Sequence, residues 1–456
     1  GIRCVRQLWY RKNGRSNGSA SGDGALYAAY EGEQRERLAN LHEEANAAGP
    51  DGGAGTNGAA GTDAGAGTGG GGQVAPAIAL PGGFSARAQA DDVWETNSGC
   101  GVSILRPVTS VKKTVVWEAA FIRHVFETSG VRVSETVLRY LSKAYRRTAH
   151  DGYGGLITEA DLGNRVRALA EAVPRRLEDM AEALLLSEAE LNKRVEPCGR
   201  RDCPACSQAR FSEERLERQA ENGEELSREK QIQLEVSRTG RPHIDRKAVE
   251  TFLESLEYPV FFLDFEAYSE AIPTMDGVSP WEHIPVIYSL HRVVRPGAEP
   301  THVAYAAQPR VDERAELFSH LSGQLGKEGS IVVYGKSFER RMIERLAGAS
   351  GVECSQEIAA RLVDLSGLFA RCHYYRPEQR GSASLKAVYR AVAGEDYDAL
   401  FISDGRQANV YYYFLRHGFP MAHDLDPSQV LEELKRYCSQ DTEAMVRIVD
   451  HLKEIV

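Results

Sequence analysis

Hydrophobic positions divide the chain into a C-terminal part with a regular alternation of strands and helices and an N-terminal part with a weaker pattern. The strongest signal is the unbroken apolar run at 259–263, which is typical of a buried central strand. Further predicted strands cover 285–294, 301–306, 330–334 and 362–364, and predicted helices cover 313–325, 338–349, 409–417 and 427–455. This alternation predicts an α/β domain over residues 251–456.

The N-terminal part carries a predicted helix at 26–42 and a strand followed by a helix within 103–120. Residues 47–83 are almost all Gly, Ala, Thr, Asp and Pro, and we predict a disordered insertion because they bury too little apolar surface. Apolar spacing across 157–191 predicts an amphipathic helical region with a kink at Pro174. We therefore expect one α/β domain at 1–206 and a charged helical connector at 207–250.

Composition limits the classes of protein to which the chain can belong. The chain has 456 residues and a net charge of -10, which argues against coating nucleic acid through bulk positive charge but not against a carboxylate metal site. No apolar run reaches the ~18–20 residues of a membrane span, and the start lacks the features of a signal peptide. Eight cysteines without a secretory signal favour a reduced, cytoplasmic setting over a disulfide framework.

Two acids follow the predicted central strand directly. Asp264 and Glu266 are two residues apart, so both side chains of a strand would point to one face. Like charges that are buried together repel and are costly to desolvate, and a divalent cation would relieve both costs. The alternative is a pair of solvated acids where the strand leaves the core.

Later elements carry further acids. Tyr437 and Asp441 are four residues apart in the last helix and share a face, which on its own is an ordinary helix pair. Glu339 lies in the first turn of a predicted helix, where negative charge is favoured, and Asp364 ends a short predicted strand. Each position also has an ordinary structural interpretation.

In chain order these acids resemble the layout of DEDD-type 3′–5′ exonucleases, and Tyr437 indicates the DEDDy subclass. The resemblance implies a ribonuclease-H-like fold, two Mg²⁺ or Mn²⁺ ions and stepwise hydrolysis of phosphodiester bonds in DNA or RNA. It also implies that Asp264, Glu266 and Asp441 bind the metal and that Tyr437 holds the attacking water. Glu339 stands where the generic pattern has Asp, with Asp364 as the alternative.

A polar segment after residue 370 is a candidate for holding a nucleic-acid strand, because it combines cations with aromatic residues. The residues singled out are Arg376, Arg380, Ser382, Ser384 and Lys386. Ser382 or Ser384 is also placed to cap a helix that begins near Leu385. The alternative is a polar surface loop.

Three cysteines, Cys198, Cys203 and Cys206, lie close together in the sequence, which in a reduced setting favours a metal over a disulfide. The segment around Cys4 resembles the start of RecB-like nucleases, in which one early and three later cysteines hold a [4Fe–4S] cluster. Cys4 is therefore the expected fourth ligand, and Cys100 is its rival. All-thiolate ligation suits Fe–S or Zn²⁺, while free cysteines in a loop are the alternative.

Residues 237–245, 258–266 and 381–386 resemble a bacterial family catalogued as domain of unknown function 2779. That family fuses a RecB-like, PD-(D/E)xK-type nuclease half to a DEDDy-like half. The resemblance spans most of the chain and is densest after residue 237.

The RecB-like half departs from its pattern. Asp92 is the candidate first acid, but Ile104 and Arg106 stand where Glu and Lys are expected, and Ile122 and His124 replace Gln and Tyr. An Ile cannot bind Mg²⁺, so we predict that this half is catalytically inactive or badly impaired, with local sequence damage as the alternative.

The leading hypothesis is therefore a metal-dependent exonuclease. One alternative is an inactive nucleic-acid-binding or repair scaffold with a structural Fe–S or Zn²⁺ site; another is a zinc-stabilised structural protein with incidental acids. The intact set of Asp264, Glu266, Asp441 and Tyr437 favours the enzyme, because a scaffold has no need of it.

Overall fold

The structure is a computed structural model that describes residues 23–47, 76–149, 152–195, 213–223, 225–352, 355–395, 397, 400–419 and 426–456. The chain divides into two compact units. Unit 1 comprises Gly1–Arg210 with Glu270–Trp281, and unit 2 comprises Phe211–Ser269 with Glu282–Val456. Both units combine helices with sheets, as the α/β prediction required.

Unit 1 is built on a four-stranded mixed sheet in the order β3-β4-β5-β6, in which only the central pair is parallel. Helix α2 buries Val115, Ala119, Ile122 and Phe126 in the main core of the unit, together with Ile104 of β4. The elements are α1 (Asp23–Ala47), β1 (Ala77–Leu80), β2 (Phe84–Arg87), β3 (Asp92–Thr96), β4 (Gly99–Arg106), α2 (Lys113–Thr128), β5 (Val133–Leu141), β6 (Ile157–Asp161), α3 (Gly163–Arg167), α4 (Ala172–Ala183) and α5 (Glu188–Arg194).

The structure corrects two predictions in unit 1. The single helical region predicted at 157–191 is a strand followed by three short helices, because β6 extends the sheet by pairing with β5. Pro174 is the third residue of α4. The N–H groups of the first helical turn have no acceptor within the helix, so the N–H that proline lacks costs no hydrogen bond there. Part of the insertion predicted as disordered is ordered, since β1 pairs with β2 and a 3₁₀ turn at Pro81–Gly83 joins them.

Unit 2 is built on a five-stranded mixed sheet in the order β10-β9-β8-β11-β12. Strand β8 lies at its centre, antiparallel to β9 and parallel to β11. The elements are α6 (Glu213–Glu221), α7 (Arg228–Thr239), β7 (His243–Ile244), α8 (Arg246–Glu254), β8 (Val260–Tyr268), β9 (Ile284–Val293), β10 (Thr301–Ala306), α9 (Arg314–Leu325), β11 (Ile331–Val333), α10 (Lys336–Ser350), α11 (Ser355–Ala360), β12 (Leu362–Asp364), α12 (Ser366–Ala370), β13 (Tyr374–Tyr375), α13 (Leu385–Ala393), α14 (Gly405–His417) and α15 (Pro427–Ile455).

The predicted central strand is confirmed, and it is longer than its apolar run. Phe261, Phe262 and Leu263 are buried on both faces of the sheet. Burial of each of these side chains stabilises the fold by about 1.5–3 kcal/mol. The register of β8 with β9 shifts between Glu266 and Ala267. Such a bulge re-aims neighbouring side chains and often lies beside a functional site.

Residues 213–221 and 228–239, which the sequence predicts as part of a connector, form α6 and α7 within unit 2. Ile232 and Val236 of α7 pack against Cys372 and Tyr375. Among the helices that the structure describes, none has the length and apolarity that crossing a membrane requires.

Gly329 tests the packing that positions β8. It has a φ of +89°, and a Cβ atom there would lie 1.9 Å from the backbone oxygen of Pro259. We expect Gly329→Ala to lower the free energy of unfolding by at least about 2 kcal/mol in urea denaturation, because two fixed backbones meet there.

Gly323→Ala is the matched control. This glycine lies in α9 with open space around its Cβ position, so Ala should raise stability by roughly 0.5–1 kcal/mol. Equal effects of the two substitutions would show that the close backbone contact at Gly329 does not stabilise the position of β8.

Candidate metal centre

Three carboxylates converge at the centre of unit 2. Asp264 and Glu266 come from β8, and Asp441 comes from α15. One oxygen of each lies within 4.8 Å of one oxygen of the other two. Glu266 and Asp441 are only 8% and 7% exposed. In the part of the chain that the structure describes, no other group of His, Cys, Asp and Glu side chains is arranged to share an ion.

The helix that carries Asp441 is fixed to the sheet by polar contacts on the next residue. The hydroxyl of Thr442 lies 2.7 Å from the hydroxyl of Ser289 and 2.8 Å from Nδ1 of His291. Ser289 is the cross-strand partner of Asp264. The same register therefore sets the positions of the acid on β8 and of the acid on α15.

Burial raises the pKa values of all three carboxyls, and repulsion by neighbouring acids adds to the rise for Asp264 and Glu266. Desolvation is the largest cause for each, and the charge of Asp441 raises the pKa of Asp264 and of Glu266 further. Acids in this state favour protonation or a bound cation. A bound divalent ion would therefore lower the electrostatic cost of keeping these carboxylates ionised.

Glu339 borders the same group. It lies in the first turn of α10, is 3% exposed, and its Oε2 has no hydrogen-bond partner among the described residues. Burial raises the pKa of Glu339 to about 7, and its charge in turn raises the pKa of Asp264. An unpartnered buried oxygen is costly unless something binds it, which marks Glu339 as a further donor.

Asp364, the alternative to Glu339, has a structural role. Its carboxylate accepts hydrogen bonds from the backbone N–H groups of Gly335 at 3.3 Å, Lys336 at 3.1 Å and Ser366 at 2.9 Å. These bonds join β12 to the start of α10. Asp364 therefore holds the turn that presents Glu339.

Two tyrosines bond to Asp441. Tyr437, one helical turn earlier, is buried and hydrogen-bonds to the Asp441 carboxylate, as the predicted shared face allows. The hydroxyl of Tyr397 donates to Asp441 Oδ1 at 2.7 Å. Burial and the nearby acids hold the pKa of both phenols far above their usual range, so both stay neutral.

Lys386 lies beside the acids. Its Nζ is 4.8 Å from the ring centroid of Tyr397 and 4.7 Å from that of Tyr437, and it donates to the backbone oxygen of Ser403. Cation–π interactions with two rings hold the ammonium group in place. Its charge lowers the pKa values of Glu266 and Asp441, against the larger effect of burial.

The other predicted strand-binding residues lie in the segment that leads to Lys386. Ser384 caps α13 by accepting from the N–H of Ala387 at 3.3 Å, which confirms the predicted cap and selects Ser384 of its two candidates. The hydroxyl of Ser382 lies 3.1 Å from that of Ser384. Arg376 bonds to Glu378 at 3.4 Å, and Arg380 is exposed. Of the five, only Lys386 interacts electrostatically with the carboxylates.

Sequence reasoning missed Tyr397 and Cys438. The thiol of Cys438 is fully buried and lies 3.4 Å from Asp264 Oδ2. Its position three residues before Asp441 was a usable signal, because that spacing shares a helical face. Tyr397 had no such signal, since its segment has no clear periodicity.

The proposed thiolate ligands Cys4, Cys198, Cys203 and Cys206 lie outside the described residues, and their role stays a prediction. The rival ligand Cys100 is a partly buried thiol that forms no disulfide with another cysteine of the described residues.

In unit 1 the acids near β4 are engaged with arginines. Asp92 pairs with Arg139, and Arg106 bonds to Asp91 at 2.7 Å and to Glu118 at 2.8 Å. Ile104 is buried in the core.

A comparison with protein families matches residues 261–384 to the model described as Domain of unknown function (DUF2779). This confirms the family resemblance over that segment, which carries Asp264, Glu266 and Glu339 and ends before Lys386, Tyr437 and Asp441. Comparisons with curated proteins and with solved structures gave no significant match.

The raised pKa of Glu339 predicts that this residue lowers the free energy of unfolding by an amount that depends on pH. A folded-state pKa above the unfolded one means that the folded state binds more protons, so the stability contribution falls as pH rises from the ordinary value of 4.5 to about 7. In EDTA, we expect Glu339→Gln to lose less stability than the wild type across this range in thermal unfolding.

Glu344→Gln on the same helix is the control, because Glu344 is exposed and paired with Arg340. It should keep the wild-type slope. A Glu339→Gln slope parallel to the wild type would refute the assignment.

Lys386 gives a second prediction. Lys386→Met leaves the acids without this neighbouring cation, so we expect the EDTA-treated protein to lose about 1–3 kcal/mol of stability. Added Mn²⁺ should then raise the unfolding temperature by more than it does in the wild type. Lys453→Met, at the exposed end of α15, is the control and should change neither value. Identical responses of both variants to Mn²⁺ would rule out a charge-balancing role.

Proposed function

We propose that the chain is a metal-dependent nuclease of the DEDDy 3′–5′ exonuclease type, acting on phosphodiester bonds of DNA or RNA. The observation that carries the proposal is the approach of Asp264, Glu266 and Asp441 to within 4.8 Å of one another. Such a concentration of buried like charge is costly without a cation. A purely structural unit would gain from replacing these acids.

The donor set fits Mg²⁺ or Mn²⁺. Hard divalent ions prefer carboxylate oxygens, and Asp264, Glu266 and Asp441 supply three within reach of one ion. The unpartnered oxygen of Glu339 is a further donor on the Asp264 side. When bound, two such ions supply an activated water and stabilise charge on the leaving oxygen.

The side chains around the acids would orient the substrate. Tyr437 is neutral, so it would hold the attacking water by hydrogen bonding rather than act as a base. Tyr397 fixes Asp441 from the other side. Lys386 presents a positive charge beside Glu266 and Asp441, where a phosphate oxygen would meet it.

The sheet supports the same proposal. A ribonuclease-H-like fold is consistent with a mixed sheet whose central strand, β8, carries two acids and is antiparallel to β9 but parallel to β11. The terminal helix α15 packs on β8 and β9 and supplies the last acid and the tyrosine.

The test is digestion of 5′-labelled single-stranded DNA and RNA with Mg²⁺ or Mn²⁺. We expect a ladder that shortens from the 3′ end. Asp264→Asn and Asp441→Asn should each slow it by on the order of a hundredfold or more. Asp450→Asn, an exposed acid on the same helix, should leave the rate unchanged.

A ladder that survives both active-site substitutions would contradict the proposal. Binding of the oligonucleotides without cleavage under any of these ions would favour the inactive scaffold instead.

For the cysteines, the proposal is a [4Fe–4S] cluster or Zn²⁺ held by Cys4, Cys198, Cys203 and Cys206. Elemental analysis with visible absorption distinguishes the two, and the absence of both metals from anaerobically purified protein would contradict it.

A further inference from the structure

A second candidate site lies within unit 1. A cavity of about 410 Å³ opens beside α1, the loop after β4 and the start of α2. Its walls include the rings of Tyr30 and Trp281 and the apolar side chains of Val108 and Val115. This volume falls in the range of small-molecule sites, ~300–1,000 Å³.

The ring of Trp281 is held in place. Its indole N–H donates to the backbone oxygen of Pro107 at 2.7 Å, and its backbone has a φ of +59°. A positive φ is uncommon for a residue other than glycine, and such conformations cluster at functional sites. A fixed, partly exposed indole is a surface on which a planar ring can stack.

The cavity also carries cations that are available to a ligand. Arg35 and Lys112 line it, are exposed, and have no ion pair among the residues that the structure describes. The third cation, Arg106, is bonded to Glu118, which also lines the cavity, and to Asp91. Glu31 is the other acid on the lining. Arg35 and Lys112 are therefore the groups free to meet an anion.

A buried amide on the same wall lacks an acceptor. Gln34 is 1% exposed, and its Oε1 accepts from the N–H of Ala271 at 2.9 Å. Its Nε2 has no hydrogen-bond partner among the described residues. Leaving a buried donor unpaired is costly, and an acceptor on a ligand's ring would satisfy it.

We infer that this cavity binds a nucleotide, with the base against Trp281 and Tyr30 and the phosphate at Arg35 and Lys112. An aromatic wall, an unpaired amide donor and two exposed cations match the ring of the base, its hydrogen-bond acceptors and the phosphate of that ligand. The nucleotide is either free or the end of a strand. The inference does not depend on the proposed nuclease site, because it uses residues of unit 1 alone.

The test is calorimetry and tryptophan fluorescence on the full chain carrying Asp441→Asn, in EDTA, so that no divalent ion contributes. We expect saturable binding of AMP with a fluorescence change that Trp281→Phe removes. Adenosine and inorganic phosphate should each bind at least about tenfold more weakly than AMP. A single-stranded oligonucleotide that gives the same Trp281-dependent fluorescence change and binds more tightly than AMP identifies a strand end as the ligand; weaker binding by that signal identifies the free nucleotide.

The charge variants decide the site. Arg35→Gln with Lys112→Gln should weaken AMP binding by about tenfold or more. Lys113→Gln with Arg175→Gln removes the same charge from exposed positions outside the cavity and should leave the affinity unchanged. The inference is overturned if AMP does not bind, if phosphate alone binds as tightly as AMP, or if the two double variants behave alike.

Discussion

Mutual repulsion would drive Asp264, Glu266 and Asp441 apart in a flexible chain. Unit 2 holds them together by rigid placement. Two of the acids share the central strand β8, which pairs with β11 before the acids and with β9 alongside them, and the third lies on a 29-residue helix packed against that strand. The contacts of Thr442 with Ser289 and His291 tie the helix to the sheet beside the acids. Apolar burial along β8 supplies the stability from which this local cost is met.

The surroundings offset the repulsion only in part. Tyr397 and Tyr437 bond to Asp441, and Lys386 lies over both tyrosine rings. Even so, the pKa values of the acids remain raised, and Glu339 adds an unpartnered oxygen. This partial compensation is what a cation-binding site requires, because full neutralisation by protein groups would leave no demand for an ion. The arginine-paired acids of unit 1 illustrate the opposite case.

The sequence predicted those features that depend on local periodicity. The apolar run before Asp264, the two-residue spacing to Glu266 and the helical spacing of Tyr437 and Asp441 all appear as expected. Features that depend on contacts with residues distant in the sequence were predicted wrongly or missed. The apolar spacing of residues 157–161 predicted a helix, but these residues pair with the edge of β5 and form a strand. Tyr397 and Cys438 reach the acids only through the tertiary fold, and Asp364 is occupied by backbone N–H groups that no sequence pattern reveals.

Anomalous diffraction from crystals soaked in Mn²⁺ tests whether these three carboxylates share an ion, because it locates the ion without reference to activity. We expect an anomalous peak at a Mn²⁺ ion bound by oxygens of Asp264, Glu266 and Asp441, and its loss in Asp264→Asn. Crystals that take up no Mn²⁺ at these three side chains, under conditions where the carboxylates are ionised, would contradict it.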